Sequence, residues 1–318
     1  MDSSISAVVP VYNSEGTLAA LVARLHQELD AVGRDHEIVL VNDGSADSSW
    51  DRIAELATAD DRVRGLNLMR NYGQHNALLA GIRAARNDIV VTIDDDLQNP
   101  PEEIPKLLAK LDEGFDVVYG SATERQFGFW RNLGTSMSKL ALRFVIGSDI
   151  AGKVSAFRAF RTDLREAFAD FNAPYVSIDV LLSWGTTRFG AVPVAHEARA
   201  QGRSSYNFGR LATHALNVMT GFSTRPLRVA SLIGLFFTLF GIVVLAIVLI
   251  TYLTQGGVVP GFAFLASVIA IFAGAQLLTL GIIGEYLARM HMRVMDRPPF
   301  AVREEVGARA REEVGSGS

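Results

Sequence analysis

Between Ile5 and Tyr119 the chain alternates short apolar runs with apolar residues at helical spacing. Ile5–Val11 predicts a strand, and Leu18, Leu21, Val22, Leu25 and Leu29 mark the buried face of a following helix. Glu37–Val41 predicts a second strand. The helix after it turns Ile53 and Leu56 inward and takes Asp47 as its cap. Val63–Met69 predicts a third strand, Ala77–Ala85 a short helix, Ile89–Ile93 a fourth strand and Phe115–Tyr119 a fifth. Asn99, Pro100, Pro101, Glu102 and Glu103 read as a helix start: a capping side chain, proline in the first turn, acids at the positive end of the dipole. Val154–Phe160 and Gly190–Val194 add further strands. The alternation argues for an α/β fold, a Rossmann-like, mostly parallel sheet with helices on both faces.

The pattern then changes. Trp130, Leu133, Met137, Leu140, Ala141 and Phe144 form an apolar stripe beside Arg131, Lys139 and Arg143, which suggests a membrane-surface helix over 130–146, with an ordinary core helix as the alternative. A similar segment runs from Phe208 to Phe222. Leu227–Leu253 and Phe262–Leu287 are almost wholly apolar, and each exceeds the roughly 20 residues needed to cross a bilayer. Arg225 and Arg228 precede the first stretch and Arg289, His291 and Arg293 follow the second, whereas Thr254–Gly261 carries no charge. Positive residues stay cytoplasmic. The expectation is therefore a multi-pass protein of the cell (inner or plasma) membrane, with its N-terminal domain and both termini in the cytoplasm. The expected organisation is an α/β domain over 1–207, a juxtamembrane amphipathic helix over 208–226, two transmembrane helices within 227–288 and a cytoplasmic tail over 289–318, mobile after Pro299. Gly281 and Gly284 are expected to allow close helix contact, and Glu285 to pair with Arg289. Homo-oligomerisation through the two apolar helices is compatible with this pattern.

Composition narrows the chemistry. The net charge of −4 disfavours nucleic acid as a partner. With no cysteine, disulfides, thiol catalysis and Cys-ligated zinc are excluded. No basic region leads into a long apolar run at the N-terminus, so no cleaved signal peptide is expected. The polar clusters Tyr12-Asn13, Asn42-Asp43, Asn71-Tyr72 and Asp94–Gln98 all fall at strand ends. In a parallel sheet such loops converge on one edge, the expected ligand crevice. No GxGxxG follows the first strand, which disfavours a dinucleotide site. Alternate side chains of an extended segment share a face, so Asp94 and Asp96 point one way and Asp95 the other. Those two carboxylates and the Gln98 amide suit Mg²⁺ or Mn²⁺, which in turn holds phosphate oxygens. A solvated acidic loop is the ordinary alternative.

The runs Val9–Asn13, Asn42–Ser45, Arg70–Asn76 and Asp94–Pro101 together resemble the inverting family 2 glycosyltransferases of GT-A fold. Within these the chain is similar to the polyprenyl-phosphate glycosyltransferases. These include the dolichyl-phosphate mannose synthases and, nearest in the runs Arg70–Asn76 and Asp96–Lys110, the undecaprenyl-phosphate 4-deoxy-4-formamido-L-arabinose transferases. The resemblance implies a nucleotide-sugar donor, with UDP favoured, and a polyprenyl (undecaprenyl) phosphate acceptor. It implies that Pro10, Tyr12, Asn13 and Asp43 cradle base and ribose. Asp94 stands near ribose and metal, and Asp96 and Gln98 are metal ligands. By the same likeness Arg125 and Arg131 hold the lipid phosphate, and Arg199 lies near the donor diphosphate. Some positions depart from the family pattern. Ser14 stands where Glu is usual, with Glu15 next to it. Ser205 stands where Lys is common, with Arg203 as a substitute charge. Gly152 replaces an Asp.

A lipid phosphate is already anionic at neutral pH and needs no strong general base. His75 and His196 are accordingly expected to be hydrogen-bonding groups, not catalytic ones. A processive glycan synthase is disfavoured, because that class carries more spans and a Gln-x-x-Arg-Trp motif. A silent nucleotide-sugar-binding partner is disfavoured by the retained Asp94, Asp96 and Gln98. A sugar-1-phosphate transferase differs in releasing a nucleoside monophosphate.

Overall fold

The computed structural model describes residues 3–122, 152–173, 175–197, 224–255 and 261–307. Its strands are β1 (Ile5–Val11), β2 (His36–Asn42), β3 (Val63–Leu68), β4 (Ile89–Thr92), β5 (Val117–Ala122), β6 (Arg158–Arg161), β7 (Phe189–Val194) and β8 (Val302–Val306). They form one sheet in the order β7-β5-β6-β4-β1-β2-β3-β8. β4, β1, β2 and β3 are mutually parallel, and β5 is parallel to β7. β6 runs against both β4 and β5, and β8 runs against β3. All strands except β6 and β8 therefore end on the same edge. The order reverses between β1 and β4, which is the topological switch point where open sheets bind ligands.

Helices cover both faces. α1 (Leu18–Val32), α2 (Ser49–Ala59) and α4 (Ile104–Asp112) bury Leu21, Leu25, Ile53 and Leu107 against Ile5, Ala7 and Val9. α3 (Gln74–Ala84) and α5 (Ile178–Gly185) bury Leu79, Ile82 and Leu181 against Val8 and Phe160 on the other face. The period-two alternation of β1 thus feeds two cores, as its wholly buried pattern requires.

Three expectations change. Asn99 does not cap a helix. It is buried, its Oδ1 accepts from the His196 ring at 3.3 Å, and the helix begins with a short 3₁₀ turn over Pro101–Glu103. The sixth strand starts only at Arg158, because Ser155 and Ala156 turn their polar groups to Phe157 and Thr92. The chain after Pro299 is not a mobile tail throughout: Val302–Val306 pairs with β3, from Gly65↔Val306 to Leu68↔Val302.

α6 (Arg225–Gln255) and α7 (Phe262–Val294) are each long and apolar enough to cross a membrane. Their 31 and 33 residues give lengths of roughly 45–50 Å, beyond a hydrocarbon core of about 30 Å. Leu235, Phe236, Leu245, Leu253, Leu277 and Leu280 are exposed along them. The pair meets through Phe237 and Phe272, whose rings lie 5.6 Å apart, beside Gly241. Gly281 and Gly284 face open space instead of the partner helix. Glu285 pairs with Arg289 at 2.5 Å, as its i+4 spacing predicts. The amphipathic segments expected over 130–146 and 208–226 lie outside the described residues, except for the last few positions, which open α6.

Candidate active site

The edge where the parallel strands end carries the acidic run. The chain leaves β4 at Thr92, buries Ile93, and turns through Asp94, Asp95 and Asp96. Leu97 closes the turn at φ 60°. That left-handed conformation costs a branched residue about 1 kcal/mol, and the packing of Leu97 against the α1/α4 core offsets it.

The three carboxylates do different work. Asp95 is structural: its Oδ2 accepts the Tyr12 N–H at 3.0 Å and its carbonyl accepts Thr17 Oγ1 at 2.8 Å. These bonds tie the acidic turn to the β1 loop across the switch point. Asp96 Oδ1 accepts the Gln98 N–H at 3.1 Å. Asp94 accepts the Gln74 amide at 2.6 Å. Burial pushes the Asp94 carboxyl up to about 6, with Asp96 and Asp95 adding to the rise and Arg158 and Gln74 opposing it. Burial also raises Asp95, against the bonds from Ser14 and Tyr12.

Asp94 and Asp96 are thus close enough to interact, and the Gln98 backbone is tied to Asp96. Among the described residues no three His, Asp or Glu side chains form a ready metal cage. The donor set is two carboxylates and an amide, which suits a hard cation that keeps water or phosphate oxygens in its remaining positions. The Asp94 carboxyl, raised first by burial and then by its acidic neighbours, is a group whose ionised form a nearby positive charge would favour.

The neighbouring loops are built more firmly. Asn13 sits at φ 53°, and its Oδ1 accepts the Ala46 N–H at 2.8 Å. Asp43 is buried and takes two backbone donors, Tyr72 N–H at 2.7 Å and Gly73 N–H at 2.9 Å. A Cβ on Gly44, at φ +67°, would lie 2.5 Å from Asn71 N, so the two loops pack with no room for a side chain. Tyr12 is half exposed above them, and Arg70 stacks on the Tyr72 ring at 4.4 Å. Pro10 stays within β1, paired with Val41. Glu15, beside the departure at Ser14, accepts the Ser48 N–H at 3.0 Å and so caps α2.

Arg125, Arg131, Arg199 and Arg203 lie outside the described residues. The chain that leads to Arg199 reaches the acidic turn directly, because the Glu197 N–H donates to the Gln98 carbonyl at 2.8 Å. Arg24 binds Glu102 at 2.6 Å and Glu197 at 3.6 Å, fixing that approach. His196 and His75 hydrogen-bond to Asn99 and to the Ile178 N–H, in line with structural roles.

A buried network behind the acids escaped the pattern reading. Arg158, in register with Thr92, donates Nε to Thr92 Oγ1 at 3.1 Å and pairs through Nη1 with Asp179. Tyr119 Oη donates to the same Asp179 oxygen at 3.0 Å. The signal was present: an arginine between Phe157 and Ala159 and an aspartate before Val180-Leu181-Leu182 each require a buried partner.

A mostly parallel sheet, a topological switch point and an acidic turn on the strand-end edge define a GT-A-like α/β domain. The sequence profile of the glycosyl transferase family 2 domain matches residues 6–168, just over half of the chain, and the chain belongs to that family. Among solved structures it is similar to glucosyl-3-phosphoglycerate synthase from Mycobacterium tuberculosis. The complex with Mn²⁺, UDP and phosphoglyceric acid aligns at 21% identity and TM-score 0.53, over 69% of this chain and 76% of that one. The complex with Mn²⁺, UDP and glucosyl-3-phosphoglycerate aligns at 20% and 0.52, over 69% and 78%. The complex with Mg²⁺ and UDP aligns at 20% and 0.52, over 69% and 77%. At this identity the likeness is one of fold.

Proposed function

We propose that this protein is a membrane-anchored, inverting glycosyltransferase that moves one sugar from a nucleotide-sugar, with UDP favoured, to polyprenyl phosphate. The observation that carries the lipid acceptor is the placement of the two apolar helices. The chain leaves the sheet after β7, runs through α6 and α7, and returns to the same sheet as β8. Two crossings bring it back to the side it left, so the hairpin anchors the domain as an insertion. β8 is antiparallel to β3, so it begins at the edge that holds the acids. Asn172 bonds Asp296, and Arg289 lies 5.1 Å from the Tyr175 ring, docking the end of α7 on the domain. This geometry supports a catalytic edge turned toward the bilayer, and the basic residues flanking the spans favour the cytoplasmic side.

Asp94, Asp96 and Gln98 would hold Mg²⁺ or Mn²⁺. When bound, the cation neutralises the diphosphate that departs with the nucleotide. Tyr12, Asn13 and the Asp43-braced loop form the floor for base and ribose. Arg199 supplies a second positive charge for the diphosphate, with Arg203 nearby in sequence. Arg125 and Arg131 hold the lipid phosphate against the repulsion of the acids. That phosphate attacks the anomeric carbon from the face opposite the leaving group, which inverts it.

A product assay tests this reading. Detergent-purified protein is incubated with Mn²⁺, undecaprenyl phosphate and a panel of UDP-, dTDP- and GDP-sugars, and the lipid is read by mass spectrometry. A lipid heavier by one sugar, with nucleoside diphosphate released, is expected. Release of nucleoside monophosphate, or sugar transfer only to soluble acceptors, contradicts it.

A further inference from the structure

We propose that the strand following the membrane hairpin, β8, is a positioning element for the donor: it fixes the loop Met69–Gly73 and through it the nucleotide side of the site. The proposal rests on the glycosyltransferase reading above and assigns a task to a segment beyond the matched family domain, which ends at residue 168.

β8 meets the end of β3 where the strand gives way to that loop. The Met69 N–H donates to the Ala301 carbonyl at 2.9 Å, and Arg303 Nη2 donates to the Met69 carbonyl at 3.1 Å. Both backbone groups of Met69 are therefore held by the C-terminal segment. The register shifts between Asn67, paired with Glu304, and Leu68, paired with Val302, so Arg303 is the extra residue of a bulge in β8 at this contact. Three residues further on, the N–H groups of Tyr72 and Gly73 bind Asp43. The same loop presses on Gly44 and carries Arg70 stacked on Tyr72. Without β8 the hydrogen bonds left to the loop among the described residues are at its far end, from the Tyr72 and Gly73 N–H groups to Asp43 and from Asn76 Nδ2 to the Tyr72 carbonyl.

The anchoring of β8 is distinct from its contact with the loop. Arg64 is almost fully buried and binds Glu37 at 3.0 Å and Glu305 at 2.7 Å. Glu37 also accepts from Ser6 and from the Arg86 N–H, and Glu305 is the second carboxylate on the Arg64 guanidinium. Val306 packs over Gly65, where a Cβ would come within 2.7 Å of it. Phe300 joins the α3/α5 core. Glu305 therefore holds the strand in place, while Ala301 and Arg303 hold the loop.

This division gives the test. Full-length protein, Arg303→Ala, Glu305→Gln and a chain ending at Phe300 are compared for UDP affinity in the presence of Mn²⁺, for melting temperature and for kinetics. Arg303→Ala is expected to raise the UDP Kd and the donor KM by about threefold, the weight of one exposed hydrogen bond, with kcat, lipid KM and melting temperature unchanged. Glu305→Gln is expected to lower the melting temperature and leave UDP affinity unchanged. The truncated chain is expected to lose UDP affinity by tenfold or more and to regain it with a peptide of residues 299–308. UDP binding by Arg303→Ala equal to that of the unaltered protein overturns the inference alone. Failure of the unaltered protein to bind UDP overturns the functional reading and this inference with it.

Discussion

Asp43 and Asp94 flank β1 on its two sides, each just past the end of a parallel strand. Burial pushes both carboxyls up. Their company differs. Asp43 meets two backbone N–H groups, which partly restore its ionised form and lock two loops together. Asp94 meets Asp95 and Asp96, which raise it further, against the Arg158 charge and the single amide bond from Gln74 found among the described residues. A carboxylate surrounded by donors builds the fold. A carboxylate crowded by other carboxylates is held in an unfavourable state that a cation relieves. The same residue type at equivalent strand ends therefore stands in two different electrostatic settings.

The sharpest break in this comparison is Asp96→Asn. Transfer is expected to fall by about 10²–10³-fold or more, with the melting temperature unchanged or raised, because one repelling charge is gone. A kinetic assay beside a thermal melt checks both parts. Asp43→Asn is the mirror case. Its amide would set N–H against N–H at one of the two loop contacts, at a cost of about 1–3 kcal/mol. Denaturant unfolding is expected to register that loss, along with weakened nucleotide binding.

The pH dependence separates the two regions further. Asp94 titrates near 6 when folded and in the ordinary carboxylate range when unfolded. The folded protein therefore holds more protons between those values. Without metal, the contribution of Asp94 makes stability fall as pH rises through that window, by up to about 1–3 kcal/mol. Mn²⁺ displaces the proton, so the increase in melting temperature caused by Mn²⁺ is expected to grow from pH 5 to pH 7. An increase that is flat with pH breaks the comparison. The smallest effect belongs to Glu15→Gln. It weakens one exposed bond to the Ser48 N–H, worth about 0.5–1 kcal/mol, and leaves turnover within twofold of the unaltered protein.

Much of this was legible in the sequence, for physical reasons. The parallel strands read as apolar runs because both faces are buried, and the acids of the fourth loop announced themselves by their number. Asp43 was read through family likeness as a ligand group; that each of its oxygens also accepts a backbone N–H, from Tyr72 and from Gly73, was not legible, because such donors leave no trace in side-chain pattern. Arg158 and Asp179 lie 21 residues apart, one on β6 and the other on α5, and their pairing is set by how that helix packs on the sheet. β8 escaped because Val302-Arg303-Glu304-Glu305-Val306 is charged and short, as edge strands commonly are. Its partner strand lies more than 230 residues earlier. Asn99 looked like a cap because its neighbours are prolines and acids, yet burial against His196 claimed its side chain.

The measurement that tests the central claim most directly is the titration of UDP into the unaltered protein and into Asp96→Asn by calorimetry, each with and without Mn²⁺. UDP affinity that rises at least tenfold with Mn²⁺ in the unaltered protein, and does not respond to Mn²⁺ in Asp96→Asn, is the predicted result. UDP affinity indifferent to Mn²⁺ in the unaltered protein, or equally responsive in both, would show that the crowded carboxylates are not where the cation and the diphosphate meet.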